Sequence, residues 1–381
     1  MRRPLLKHGL LHFICRRLKL GHRGRKRSVL PRELWEKIYE RLPTTDRIRF
    51  ASVSNNWLSI ATTKPPPPPV LDPWLMFRGA NEFWSLSQNR FYRFDNINPT
   101  KKKHEILGAS DGWLLITEHP GPEVTTQKSL ILVNPISNAK ILLPPIEYTQ
   151  IQDMKKLVVV TLGDSVVPAR VYIRTRMNYL YLDACIRYNR TWINHPMAIG
   201  YSDDVLVYDG KLYNLTVRRS KTSSTIVINV RSLNDAGGEH TYNVVEHKGF
   251  SGFLEAYLVQ SCGDLLLVKR FHQRKFEVFK LVLVDEESLA RCVELESLEQ
   301  GQALFWGRDG CVSVPVGKFS SFEENHIYFS VKRLDQSYEI GAYSLKDNSI
   351  GKSFKEKHNV PQQSLQQESA WFFPKIKDTF C

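Results

Sequence analysis

No stretch of the 381 residues comes near the ~18 consecutive apolar residues of a membrane-crossing helix. The best apolar runs, Leu157–Leu162 and Leu265–Val268, have the length of strands. Cysteine is sparse and scattered. Cys15, Cys185, Cys262, Cys292, Cys311 and Cys381 contain no Cys-x-x-Cys pair and have no paired histidines at finger spacing. That excludes a zinc finger or dithiol redox motif and reads as reduced thiols of a cytosolic or nuclear protein. The histidines do not cluster at metal-ligand spacing. Catalytic constellations are missing as well. Gly163-Asp164-Ser165 has no carboxylate-oriented histidine near the C-terminus to activate the serine. Gly249-Phe250-Ser251-Gly252 is not a nucleophile elbow. Gly317-Lys318 lacks the upstream glycine and the following hydroxyl residue of a phosphate loop. The sequence therefore predicts no metal, no cofactor and no catalytic centre, and an enzyme is the disfavoured class.

Charge of one sign is missing from the first 27 residues. They hold ten Lys and Arg and no acid. A net charge of +14 points to nucleic acid until its distribution is read; the other 354 residues carry only about +4. The basic excess belongs to a tail, so neither a nucleic-acid nor a membrane partner is expected of the folded body. Arg16–Arg27 fits a nuclear localisation patch. The whole segment, with Leu5, Leu6, Leu10, Leu11, Phe13, Ile14 and Leu18, also fits a mitochondrial presequence, and a solvated arm is the plainest alternative. His8 and His12 interrupt the apolar part and argue against a secretory signal. Nucleus and cytoplasm are the expected locations.

What is present is most concentrated in Leu30–Ala61. Pro31 suits the first turn of a helix. Leu34, Ile38 and Leu42 then recur every four residues, flanked by Trp35 and Tyr39, until Pro43 stops the pattern. Thr44, Thr45 or Asp46 can cap a second helix, whose apolar positions are Ile48, Phe50, Ala51 and Val53. Trp57, Ile60 and Ala61 continue the stripe. So short a module has more apolar surface than it can bury alone. It either packs on the rest of the chain or docks on a partner.

The order Leu30-Pro31-x-Glu33-Leu34, Ile38, Arg41-Leu42-Pro43, Asp46, Val53-Ser54 and Trp57 resembles the F-box. It departs from the pattern in its second half: Ser54 stands where a cysteine is usual, and Asn55 or Asn56 where a basic residue precedes the tryptophan. The resemblance implies binding to the Skp adaptor of a cullin–RING ubiquitin ligase. Leu30, Pro31, Leu34, Ile38, Leu42, Pro43, Ile48, Val53 and Trp57 would supply the adaptor-binding surface and the helix ends that shape it.

Five prolines, Pro65–Pro69, follow. Such a run favours polyproline II, a stiff spacer of ~3 Å per residue, and a ligand for a proline-recognising domain is the alternative. After Pro69 the apolar period changes from 3.6 to 2. Val205–Tyr208 and Lys211–Leu215 flank Asp209-Gly210, a two-residue hairpin turn. Tyr257–Gln260 and Asp264–Val268 form a second hairpin, and Trp113–Ile116 pairs with Leu130–Val133. Phe276–Leu281, His326–Ser330 and Ala342–Leu345 continue the series. Such strands make either stacked sandwiches or a propeller. Arg170, Arg174 and Arg176 sit at near-alternate positions, so they form a basic strand face or a charge-blunted edge.

An ordered set of segments chooses between the two architectures. Ile106–Leu114, Val133-Asn134-Pro135 with Leu142–Pro145, Asp204–Tyr213, Tyr257–Val268, Ala303–Gly307 and Asn325–Phe329 together resemble the plant family called domain of unknown function 295, a KIB-type β-propeller. Many members carry an N-terminal F-box. The resemblance implies a small all-α F-box of three short helices followed by an all-β domain, a propeller of six or seven blades. The expected organisation is a basic tail (1–27), an F-box (28–62), a proline-rich linker (63–69) and a substrate-binding propeller (70–381). The implied function is a non-catalytic substrate receptor that contacts the Skp-type adaptor, through it cullin and RING subunits, and an unknown protein target. An organelle-targeted propeller that works without the ligase is the alternative.

Overall fold

The structure, a computed structural model, describes residues 30–374 apart from 43–45, 48–49, 51–52, 64–72 and segments between strands. The longest of those segments are 94–103, 119–126, 148–153, 161–169, 183–191, 197–202, 234–239, 246–251 and 356–368. The chain divides into two compact units, residues 1–70 and 71–381.

The first unit is helical. Helix α1 spans Arg32–Glu40 and α2 spans Asn55–Thr63. Pro31 precedes α1 with φ −53°, and its carbonyl accepts the N–H groups of Leu34 and Trp35 at 3.1 and 3.4 Å. The pyrrolidine ring thus pre-sets the entry angle at a position where no N–H is needed. Asp46, Arg47 and Phe50 carry helical backbone where the middle helix is expected. Pro43 and Ile48 lie outside the described residues.

The second unit is built of antiparallel meanders. Strands β1 (Trp74–Phe77), β2 (Glu82–Ser85) and β3 (Arg90–Arg93) follow one another, and β26 (Ser369–Phe372) pairs with the free edge of β1. Next come β4 (His104–Ser110), β5 (Trp113–Glu118), β6 (Gln127–Val133) and β7 (Lys140–Glu147) in one sheet. Another holds β8 (Lys156–Val160), β9 (Arg170–Arg174), β10 (Asn178–Leu182) and β11 (Ile193–Pro196).

Two further meanders are joined. Strands β12 (Asp204–Tyr208), β13 (Lys211–Arg219), β14 (Ser224–Ser232) and β15 (His240–Val245) form the first. Strands β16 (Phe253–Ser261), β17 (Asp264–Phe271), β18 (Phe276–Val284) and β19 (Leu289–Glu294) form the second. A parallel pairing of β15 with β19 connects them. The last sheet holds β20 (Gln302–Gly307), β21 (Gly310–Pro315), β22 (His326–Lys332), β23 (Tyr338–Ser344) and β24 (Ser349–Ile350). Its order is β21-β20-β22-β23-β24, with β25 (Phe354–Lys355) also on β23 and a parallel step between β20 and β22.

One strand of each meander faces a common axis. Strand β4 lies against β8, β8 against β12, β12 against β16 and β16 against β21; β20 lies against β26, which returns to β4. This circular order is that of a β-propeller. Neighbouring sheets bury their apolar faces against each other. Leu115, Leu130 and Leu132 meet Leu157 and Val171; Val259, Val268 and Phe276 meet Leu304 and Phe329; Leu75 and Trp84 meet Phe305 and Ile340.

Local expectations hold at the hairpins. Val205–Tyr208 pairs with Lys211–Asn214, and Asp209 and Gly210 take φ of +47° and +66°, the left-handed pair that a type I′ turn requires. Leu114–Thr117 pairs with Leu130–Val133. Of the arginines read as a basic strand face or a charge-blunted edge, Arg170 and Arg174 are half-buried. The charge of Arg174 is supported by Asp204, Asp203, Tyr257 and Asp309, and Arg170 donates to the Leu233 carbonyl at 2.6 Å. Arg176 lies outside the described residues.

Candidate adaptor-docking surface

The helical unit closes a core of its own. Tyr39, Leu42, Phe50, Ile60 and Ala61 are buried, with Trp35, Ile38 and Trp57 packed partly against them. Aromatic rings make up most of it. Trp57 stacks on Phe50 at 4.3 Å and meets Trp35 at the same centroid distance; Tyr39 touches Phe50 at 5.3 Å. Such ring pairs add ~0.5–1.5 kcal/mol each beyond their buried area, which matters in so small a module.

Arg47 locks the end of α1. Its guanidinium donates to the carbonyls of Tyr39 and Glu40 at 3.2 and 2.8 Å and lies over the Tyr39 ring. The Tyr39 carbonyl also accepts the Leu42 N–H at 3.1 Å, and the Glu40 carbonyl is one that a helix end leaves without an intrahelical partner. Burial pulls the Arg47 pKa below its ordinary value, opposed by Tyr39 and Glu40. At the other junction Ser54 Oγ accepts the Trp57 N–H at 3.3 Å, the N-cap contact of α2. The residue that departs from the F-box pattern therefore has a local task that a cysteine performs poorly.

Helix α1 turns Trp35 and Tyr39, four apart, inward with Leu42. Leu34 on the same helix remains 43% exposed, as do Leu30 ahead of α1 at 37% and Val53 ahead of α2 at 50%. Ile38 lies at the boundary, partly buried. The nine candidate residues thus separate. Leu30, Pro31, Leu34 and Val53 are exposed, Leu42 belongs to the interior, Ile38 and Trp57 do both, and Pro43 and Ile48 lie outside the described residues. Sequence reasoning missed Arg47 and the capping role of Ser54. A serine directly before Asn-Asn-Trp was the available signal for the latter.

The profile of the KIB1-4 β-propeller family matches residues 83–344, well over half of the chain, and that of the F-box domain matches residues 28–67. The chain is an F-box protein of the KIB1-4 β-propeller family. A curated relative is the F-box protein SKIP23 of Arabidopsis thaliana, 24% identical over 282 residues. The match covers 64% of this chain and 63% of the relative, so the chain spans less than two thirds of that relative's length. Among solved structures, the β-propeller domain of the Trilobed protease from Pyrococcus furiosus aligns at 11% identity. It covers 73% of this chain and 77% of that one, with a TM-score of 0.35. The GH93 α-L-arabinofuranosidase of Fusarium graminearum aligns at 13% identity over 74% and 86%, with a TM-score of 0.37. Likeness that distant carries no weight for chemistry. F-box proteins generally serve as non-catalytic substrate adaptors, and their F-box domains generally bind Skp-type adaptors.

Proposed function

We propose that this chain is the substrate-recognition subunit of an SCF-type E3 ubiquitin ligase. The F-box, residues 28–62, docks on the Skp-type adaptor, and through it the chain joins cullin and RING subunits. Residues 63–69 space it from a propeller, residues 70–381, that holds a protein target for ubiquitination and proteasomal degradation. The chain itself performs no chemistry. Its basic tail, with Arg16–Arg27 as a nuclear signal, gives it a place in the nucleus as well as the cytoplasm. We further propose six blades: β26 with β1–β3, then β4–β7, β8–β11, β12–β15, β16–β19 and β20–β24.

The observation that carries the ligase reading is the set of exposed aliphatic side chains on the helical unit. The unit already has a closed core, yet Leu30 ahead of α1, Leu34 within it and Val53 ahead of α2 stay exposed. Exposed aliphatic side chains concentrated on a short module mark an interaction surface. Reconstitution tests it. Full-length protein mixed with purified Skp-type adaptor, cullin and RING subunits should co-elute as one assembly and become ubiquitinated itself when the conjugating machinery is added. Co-elution that is unchanged when the adaptor is omitted would overturn the reading.

A further inference from the structure

The inner strands of the ring line a cavity of about 360 Å³ that opens to solvent. Small-ligand pockets run from ~300 to ~1,000 Å³. Much of the wall is apolar or aromatic, including Val159, Val207, Phe305 and Trp371.

One lysine stands in this wall. Lys156, at the start of β8, donates from its ammonium to Asp204 Oδ1 at 2.6 Å. Asp204 is 1% exposed and gives its other oxygen to the Leu258 N–H at 2.9 Å. Arg174, the cross-strand neighbour of Lys156, adds a second, half-buried positive charge that Asp204 supports. An ammonium carries three donors, and among the described residues Asp204 is the acceptor that takes one of them. A buried ion pair is a poor way to hold an axis together, because apolar side chains of the same volume often do so at no loss. A charged pair beside an unfilled volume has a better use, which is to receive a ligand. Asp111 and Asp309 also line the cavity. They disfavour a doubly charged acid and supply acceptors for a hydroxyl or N–H beside a single carboxylate.

We propose that the axial cavity is a binding site for a small amphipathic monocarboxylate. Its apolar body lies along Val207 and Val312, and its carboxylate accepts from the Lys156 ammonium. A free organic acid and the C-terminus of a polypeptide share this chemistry. The inference concerns the propeller unit alone and needs no adaptor, so it can fail without touching the ligase reading.

Calorimetric titration of the full-length protein tests it with four probes. These are phenyllactate, its primary amide, and a short peptide ending in phenylalanine with a free or an amidated C-terminus. At least one acid should bind tenfold or more tightly than its amide. A stronger free acid assigns a small molecule, and a stronger peptide assigns a chain end. Two variants bracket the site. Val312→Trp puts bulk into the cavity from a residue that is 43% exposed and leaves the ion pair intact; it should abolish binding. Lys156→Met with Asp204→Leu removes both charges together, which avoids a lone buried charge; it should erase the preference for acid over amide. Equal binding of acid and amide by the wild-type protein overturns the proposal. So does the absence of heat with every probe at millimolar concentration, or unchanged binding by Val312→Trp.

Discussion

The two units of this chain dispose of apolar side chains in different ways. Among the described residues of the propeller the exposed large aliphatics are Leu142, Val282, Val293, Val312 and Ile350, spread over five strands, with Val282 and Val293 diagonal to each other on β18 and β19. Such exposures are ordinary, because no protein has enough polar surface to cover itself. In the helical unit Leu30, Leu34 and Val53 are exposed within two dozen residues, beside a core in which five of the described apolar side chains are buried. The propeller satisfies itself by closing a ring, each sheet covering the next. The helical unit closes a small core and leaves these three aliphatic side chains exposed. Surface that a unit could not afford to waste is the surface to suspect of having a partner.

The largest effect that can break this comparison is expected at Phe50. It is 1% exposed and touches Trp35, Tyr39 and Trp57. Phe50→Ala should cost about 3–5 kcal/mol, enough to unfold so small a module. Calorimetry should then show the helical unit's transition lost and the propeller's unchanged. A single transition that moves as a whole would mean that the two units do not fold independently. Trp57→Ala belongs with it, since Trp57 stacks in the same cluster. Loss of adaptor binding by that variant would report folding, not contact.

Gly341 is the counterpart in the propeller. A methyl group there would fall inside the Phe329 ring, in a core where overpacking typically costs ~1–3 kcal/mol. Gly341→Ala should lower the propeller's melting transition and leave adaptor affinity untouched; weakened adaptor binding would contradict the division of labour.

A third probe uses pH. Lys269 is buried between the rings of Phe253 and Phe279, its ammonium 5.3 and 4.7 Å from their centroids. Burial pulls its pKa down to about 8, against partial support from Cys292, Glu277 and Glu294. Between the folded value and the ordinary one, the unfolded chain holds a proton that the folded chain has released, so stability rises with pH from about 8. Cys292, pushed up to about 11 by burial, acts in the opposite sense once pH passes the ordinary thiol value, because its folded form keeps a proton the unfolded chain loses. Cys262 and Cys311, also raised by burial, act in the same opposing sense, so the Lys269 contribution is read between pH 8 and 9 as a difference between two proteins. Across that window chemical denaturation of the propeller should show the wild type gaining about 1 kcal/mol relative to Lys269→Met. Parallel pH profiles of the two proteins would deny Lys269 that contribution.

The smallest effect sharpens the picture of the helical unit. Ser54→Ala removes one N-cap hydrogen bond and should cost about 1 kcal/mol, read as a small downward shift of the helical transition. No shift would deny Ser54 its capping role.

Much of this was legible in the sequence, for reasons that are local. Asp209-Gly210 announces its own turn because few other residues accept two positive φ angles in a row. The alternation at Phe276–Leu281 follows from a strand's period of two, and the helical period at Leu34–Leu42 from 3.6 residues per turn. What was not legible is non-local. Nothing in Ser369–Phe372 says that it pairs with Trp74–Phe77 across nearly the whole length of the propeller. Nor do the sequences of β15 and β19, or of β20 and β22, disclose parallel pairings among antiparallel neighbours. The candidate site was read as one stripe, Leu34, Ile38 and Leu42 with Trp35 and Tyr39. Periodicity finds that stripe but cannot say which edge of it faces inward. Arg174 is similar: its spacing says which strand face it shares with Arg170, and only tertiary neighbours show that it is half-buried beside carboxylates.

The measurement that tests the central claim most directly is the affinity of the full-length protein for a purified Skp-type adaptor. The double variant Leu34→Asp/Val53→Asp changes only exposed positions of the helical unit, and Val282→Asp/Val293→Asp makes an equivalent change on the propeller. The account predicts at least a hundredfold loss for the first pair, with its melting behaviour preserved, and wild-type affinity for the second. Equal affinity for all three proteins would contradict it.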